Sequence, residues 1–372
     1  MGGAEVAEVG CIVRGLLRRE PYRLFFPIAL VLGAAGVVPW VLFGRGLLHT
    51  WPGMSHSLVM SQGFFITVAI GFLGTMLPRR TGTAPLPLIA IVALGVAAVT
   101  VSGALLVGAV ALAQVVYLAV LVGLVSAAAP RVRKTPPSFV LVAAGLLLGA
   151  TGSVLLLLGE AVSLARALVS QGLMLCLVMA VAPFLIPGIL RGTPAPDRRR
   201  AVYLGMAGLM AASFVVEEWL SVRAGLLARG ATVAAALVAA GVLSPATRPG
   251  AHRAAFRLAL LLVPLGLLAA GLFPERRIAL LHITHVGGLA LLVVAVTVHV
   301  TLLHGGRERL AARWPIPVVA AVICLLAAAA LRATLEGFGA GYTDAMSLAG
   351  ALWLAAVVVW GGFLLRNLRR VS

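Results

Sequence analysis

HITHVGGLALLVVAVTVHVTLLHGGR, residues 282–307, decides how this chain is read. About 20 apolar residues in succession cross a bilayer as a helix. This stretch is long enough, yet it carries four of the seven histidines: His282, His285, His299 and His304. Imidazole gains nothing from hydrocarbon. Ionisable groups inside a span usually face the bundle interior or a water-filled cavity and need a partner there. A bound metal or haem is one such partner.

The surrounding composition agrees with a membrane setting. Of 372 residues, 62% are hydrophobic and 11% charged, with mean hydropathy +1.10; a soluble domain has roughly 25% charged residues. The expected fold class is all-α, a polytopic transmembrane helix bundle. Twelve spans are expected, at about 24–43, 55–77, 86–104, 107–129, 138–158, 163–190, 201–219, 226–243, 255–272, 281–303, 315–332 and 346–366. The third and fourth spans divide near Ser102-Gly103, and Pro183 and Pro187 kink or shorten the sixth. The whole chain forms one integral-membrane domain, with a cytoplasmic N-terminal segment (1–23), the bundle (24–366) and a cytoplasmic tail (367–372). No cleavable leader is expected, and residues 4–20 form a short surface helix. No internal repeat stands out by eye.

The formal net charge of +18 reads as a topology signal, with no nucleic-acid partner implied. With the N-terminus inside, 22 of the 29 basic residues fall on inner segments, an alternation that a miscounted span destroys. That gives an N-in, C-in protein of the inner membrane with the lipid bilayer as its partner. Three scattered cysteines, with no CxxC or CxxCH, exclude covalent c-type haem and a thiolate cluster. No P-loop, GxSxG or HExxH occurs, and no carboxylate pair lies deep in a span.

This topology sorts the histidines by depth. His56, His282 and His285 open their spans from the outer side. His299 and His304 lie toward the inner end, about 21 Å along the axis from His285 to His299. His56 is the best partner from another helix, with Met60 one turn on as a soft ligand and Gly63 leaving room for a flat macrocycle or a close helix. One haem plus a separate metal or polar site fits better than two bis-histidine haems, since Ile70 stands where a second histidine belongs. The plainer readings are an interfacial hydrogen bond for His56, core packing for Met60, a polar bundle contact for His299 and a helix cap for His304. His49 and His252 are expected to face solvent. Glu160, Glu217, Glu218, Glu275 and Asp344 read as solvated outer-side carboxylates. Gln62, Gln114 and Gln171 are expected to bond between helices.

Several stretches together resemble the NnrS family of polytopic haem- and copper-containing membrane proteins linked to nitric oxide and nitrosative stress. They are PYRLFFPIALVLGAAGVVPW (21–40), HSLVMSQGFFITVAIGFLGTMLPRRTG (56–82), PFLIPGILRG (183–192) and HITHVGG…HVTLLHGGR. In the second, His56, Met60, Gly63, Phe64, Gly71, Phe72, Pro78 and Gly82 fit the pattern; in the last, His282, Gly287, His304 and Arg307 do. Leu58 and Val59 stand where the family usually has a further histidine and an acidic residue, and His285 and His299 replace an apolar or small residue and an arginine. The resemblance implies a divergent member. It holds non-covalent b-type haem through His56 with His282 or His285, and copper as a second metal; His304 carries over as a further candidate metal ligand, and with His299 it forms either a second, inner metal site or a structural pair. Nitric oxide is its ligand, and quinol or another redox partner its electron source. Two other readings remain: a cofactor-free permease or exporter, and a b-type electron-transfer subunit.

Overall fold

A computed structural model of the chain describes residues 14–193, 198–334, 339 and 341–368. Among the described residues it is helical without strands, and twelve helices are long and apolar enough to cross a membrane. They are α1 (Tyr22–Gly44), α2 (Gly53–Thr81), α3 (Leu88–Leu106), α4 (Val110–Lys134), α5 (Pro137–Leu158), α6 (Val162–Leu190), α7 (Arg200–Trp219), α8 (Val222–Ala239), α9 (Ala251–Leu272), α10 (Pro274–His304), α11 (Glu308–Thr334) and α12 (Tyr342–Leu368).

The expected count holds, and the differences have local causes. The α3–α4 break lies at Gly108, where φ is +79°, rather than near Ser102-Gly103. Glycine adopts that left-handed conformation without a Cβ penalty, and Ser102-Gly103 stays helical. α6 runs through Pro183 and Pro187 to Leu190; neighbouring helices let spans tolerate proline. The surface helix expected over 4–20 is helical over 14–19, while 4–13 and the tail after 368 lie outside the described residues.

The architecture is a ring with three helices inside it. Neighbours around the ring run α1, α3, α4, α5, α7, α8, α9, α11, α12 and back to α1. Within it sit α2, α6 and α10, whose apolar windows are 78%, 72% and 72% buried, against 56% at most for any other span. The inner helices are therefore the second helix of three successive four-helix units, α1–α4, α5–α8 and α9–α12. The repeat not evident by eye is an approximate threefold one. Its sequence trace is short: Ser61-Gln62-Gly63 in α2 and Ser170-Gln171-Gly172 in α6, each with a proline fifteen residues after the glycine, at Pro78 and Pro187.

Small residues set how closely the units approach. Gly145, Gly149 and Gly152 form one stripe on α5 against α6. A Cβ on Gly152 would lie 2.6 Å from the Ala165 carbonyl oxygen, and one on Gly145 would lie 2.9 Å from the Cys176 Cβ. In lipid such stripes replace the hydrophobic effect as the means of association.

The three inner helices share another feature. Each contains a π-helical stretch in the half nearer the His56 end: Val59–Phe65, Leu168–Gly172 and Ile283–Ala290. A π turn shifts side chains around the helix and frees backbone groups, and it recurs at functional sites.

Candidate metal centre

The π segments of α2 and α10 carry the histidines on which the sequence reading rests. His56 lies just before the first, His282 just before the third and His285 inside it. All three rings are half-buried, and each meets a backbone carbonyl through Nδ1. His56 Nδ1 lies 2.9 Å from the Gly36 oxygen on α1, with the ring edge-on to Trp40 at 5.8 Å. His282 Nδ1 lies 2.7 Å from the Ile278 oxygen and His285 Nδ1 2.8 Å from the Leu281 oxygen.

A carbonyl only accepts, so Nδ1 carries the proton in each ring and Nε2 keeps its lone pair. That tautomer is the one second-shell hydrogen bonding selects for a metal-binding imidazole. His285 Nε2 is buried and has no partner. A buried polar atom without a partner calls for an explanation, such as an unplaced water, ion or ligand.

His56, His282 and His285 lie within electrostatic reach of one another, and Arg332 on α11 faces both His56 and His282. Arg166 on α6 lies beside His56 and donates from Nη2 to Ser57 Oγ at 3.1 Å. His56 stands more than 220 positions before His282 and His285 in the sequence, and the fold gathers them at one end of the bundle. They do not converge on one point. Among the described residues, no three His, Cys, Asp or Glu side chains could hold a metal ion together. One or two of these imidazoles could hold a group such as haem. They do not fit a copper ion held by three protein ligands.

Met60 and Gly63 serve packing. Met60 Sδ would lie 3.0 Å from a Cβ on Gly36 of α1, and the place of a Cβ on Gly63 is filled by Ser102 Oγ of α3 at 2.3 Å. Of the two alternatives for Gly63, the space goes to the close helix. The expected interhelical glutamine bonds are present. Gln62 donates to Gln114 Oε1 at 2.7 Å, and Gln171 accepts from Arg229 at 2.6 Å.

At the other end of α10 the arrangement departs from expectation. His252 does not face solvent. It is 2% exposed at the start of α9, and its Nε2 lies 3.1 Å from His299 Nδ1, which makes the polar bundle contact for His299. His304 faces Arg79, with ring nitrogens 3.0 and 3.1 Å from Nη1, and has Nδ1 3.6 Å from Glu20 Oε1. Glu20 holds this cluster together. It accepts from Arg23 Nε at 2.6 Å, Arg79 Nη2 at 3.0 Å and Tyr22 at 3.1 Å. Burial works against its charge, but the nearby His304 ring, the hydrogen bond and positive charge of Arg23 and the hydrogen bond from Tyr22 outweigh burial and hold the carboxyl down at about 2.

Two polar groups escaped the sequence reading. Glu20 was hidden among the arginines of residues 14–23. Arg229 is not one of the 22 basic residues on inner segments, and it is 0% exposed in α8. It binds Gln171, Ser213 and Glu217 and lies 3.6 Å from the centre of the Phe214 ring. Glu217 is therefore an ion-pair partner rather than a solvated carboxylate. A charged residue well inside an apolar run was the available signal.

A family model described as NnrS protein matches residues 16–371, nearly the whole chain, so the chain belongs to the NnrS family. No curated protein matches it.

Proposed function

We propose that this NnrS-family membrane protein holds a non-covalent b-type haem at the His56 end of the bundle and binds nitric oxide there as part of a nitrosative-stress response. The observation that carries the reading is His285 Nε2, a buried lone pair with no partner, on a ring already fixed by the Leu281 carbonyl. His285 would be the first residue to hold the haem iron, with His282 or His56 as the second donor. When bound, the haem would supply an iron able to take a diatomic ligand, tuned by its protein donors and local polarity.

The chain's own groups do the rest. The carbonyls of Gly36, Ile278 and Leu281 hold the three rings in the binding tautomer. Arg166 and Arg332 bring positive charge to this end, which suits the carboxylates of a haem. Copper is not part of the proposal, because the described residues lack a three-donor set. Twelve apolar helices make the chain a multi-pass membrane protein. Its basic face carries Arg23, Arg79, Arg131, Arg191 and Arg307. By the positive-inside rule that face is cytoplasmic, N-in and C-in, which puts the haem near the outer face of the inner membrane.

The test is a reduced-minus-oxidised spectrum of the purified protein. A Soret band is expected, lost or strongly reduced in His285→Ala and altered in His56→Ala and His282→Ala. No band in the wild-type protein sinks the haem reading and favours a cofactor-free permease. A band unchanged in all three variants keeps the haem and refutes the site.

A further inference from the structure

Two cavities in the bundle share a wall. The larger, about 790 Å³, lies between α4 and α5 and reaches inward to α2. Its flanks include Val122 and Val125 of α4 and Leu147 of α5, which are 64%, 52% and 69% exposed on the lipid-facing surface. The smaller, about 100 Å³, is a partly open pocket between α2, α6 and α10 on the approximate threefold axis, and every side chain lining it is apolar. Ala69, Leu73 and Leu177 line both. Those three side chains form the shared wall, the neck that any passage between the two cavities would have to cross.

Size and chemistry limit what can use the inner chamber. An apolar cavity of roughly 150 Å³ stays dry and takes benzene or xenon. At about 100 Å³, with no polar lining atom to hold water, the axial chamber accepts a diatomic molecule or a xenon atom but not a substituted quinone ring. No histidine lines either cavity, so neither is the seat of a histidine-ligated haem. Small neutral gases partition into the hydrocarbon of a bilayer, toward which Val122, Val125 and Leu147 turn, while Arg131, Arg133 and Arg200 line the other end of the cleft at the basic face.

We propose that the α4–α5 cleft and the axial chamber form one apolar route by which a small neutral diatomic gas passes from the lipid to the centre of the bundle. Leu289, in the same π-helical stretch as His285 and four residues after it, lines the chamber. The helix that carries the unpartnered Nε2 thus forms part of the chamber wall. The route's destination rests on the haem reading; the route does not.

Xenon is the probe. In crystals of the full chain under xenon pressure, one site is expected in the axial chamber. Val178→Phe and Val293→Phe, from different helices, should each abolish it by filling the space. Ala69→Phe narrows the neck without filling the chamber, so xenon exchange followed by ¹²⁹Xe NMR should slow several-fold. An empty or water-filled chamber in the wild-type protein overturns the proposal, as does xenon retained in both filling variants. Unchanged exchange in Ala69→Phe, or an acyl chain lodged through the neck, overturns lateral access. A protein without a Soret band leaves all these outcomes as stated and removes only the haem as destination.

Discussion

Removing the Glu217 carboxylate should destabilise the bundle through the cation it leaves behind. Arg229 is 0% exposed, and its partners are the 2.6 Å contacts to Glu217 Oε2 and Gln171 Oε1, the 3.2 Å contact to Ser213 Oγ and the Phe214 ring. In Glu217→Ala the guanidinium keeps its neutral acceptors and loses the one counter-charge it has among the described residues. Breaking one side of a buried ion pair costs about 3–5 kcal/mol. The Glu217 side chain is 18% exposed, so some hydration reaches the pair, and the lower figure of about 3 kcal/mol is expected. Arg229→Met removes the charge together with the need for its partner and leaves Gln171 short of a donor, which costs roughly 1–2 kcal/mol. The double variant should then be less damaged than the sum of the singles, with a coupling of about 2 kcal/mol. Arg229→Lys should not restore stability, because an ammonium cannot span three acceptors as the planar fork does. Reversible unfolding in mixed micelles, read as a double-mutant cycle, measures these terms. If both single variants cost less than about 1 kcal/mol and add independently, the ion pair is not what holds α6, α7 and α8 together.

Two further outcomes are expected at other points of the bundle. Glu20 has its carboxyl lowered from 4.5 to about 2 in the folded chain. Its contribution to stability is therefore fully present above about 4.5 and lost as pH falls from there toward about 2; acid unfolding curves of wild type and Glu20→Gln should differ at neutral pH and converge at the acid end. Gly63→Ala should destabilise by about 1–3 kcal/mol, since its Cβ would lie 2.3 Å from Ser102 Oγ, and adding Ser102→Ala should restore most of the loss because the next atom is the Ser102 Cβ at 3.5 Å. Thermal unfolding of the two single variants and the double variant checks this, and no rescue in the double variant refutes the packing account.

The sequence by itself determined the coarse fold, and the reason is energetic. In hydrocarbon every backbone polar group must be satisfied within its own segment, so apolar runs near 20 residues have one solution, and counting them counts helices. Residue chemistry also marked the glutamines as interhelical bonders and separated His56, His282 and His285 from His299 and His304 by depth. Depth along a helix is linear in residue number, so it can be read without knowing the neighbours.

What only the tertiary structure decided is what each side chain meets across the bundle. The threefold plan comes from which helices touch, and only two short Ser-Gln-Gly triplets record it in the sequence. The pairing of His252 with His299 and of Glu217 with Arg229 joins residues on different helices. In each pair one partner, His252 or Glu217, looks in one dimension like a loop or surface residue. Gly63 shows the same limit: a missing Cβ signals a close approach but not whose, and here it is Ser102. The opening stretch, 282–307, is settled in the same way. Its periodicity makes it a span, but α9, with its His252, and the cluster around Glu20 occupy its inner histidines. His285 alone on that helix is left with a buried nitrogen lacking a partner.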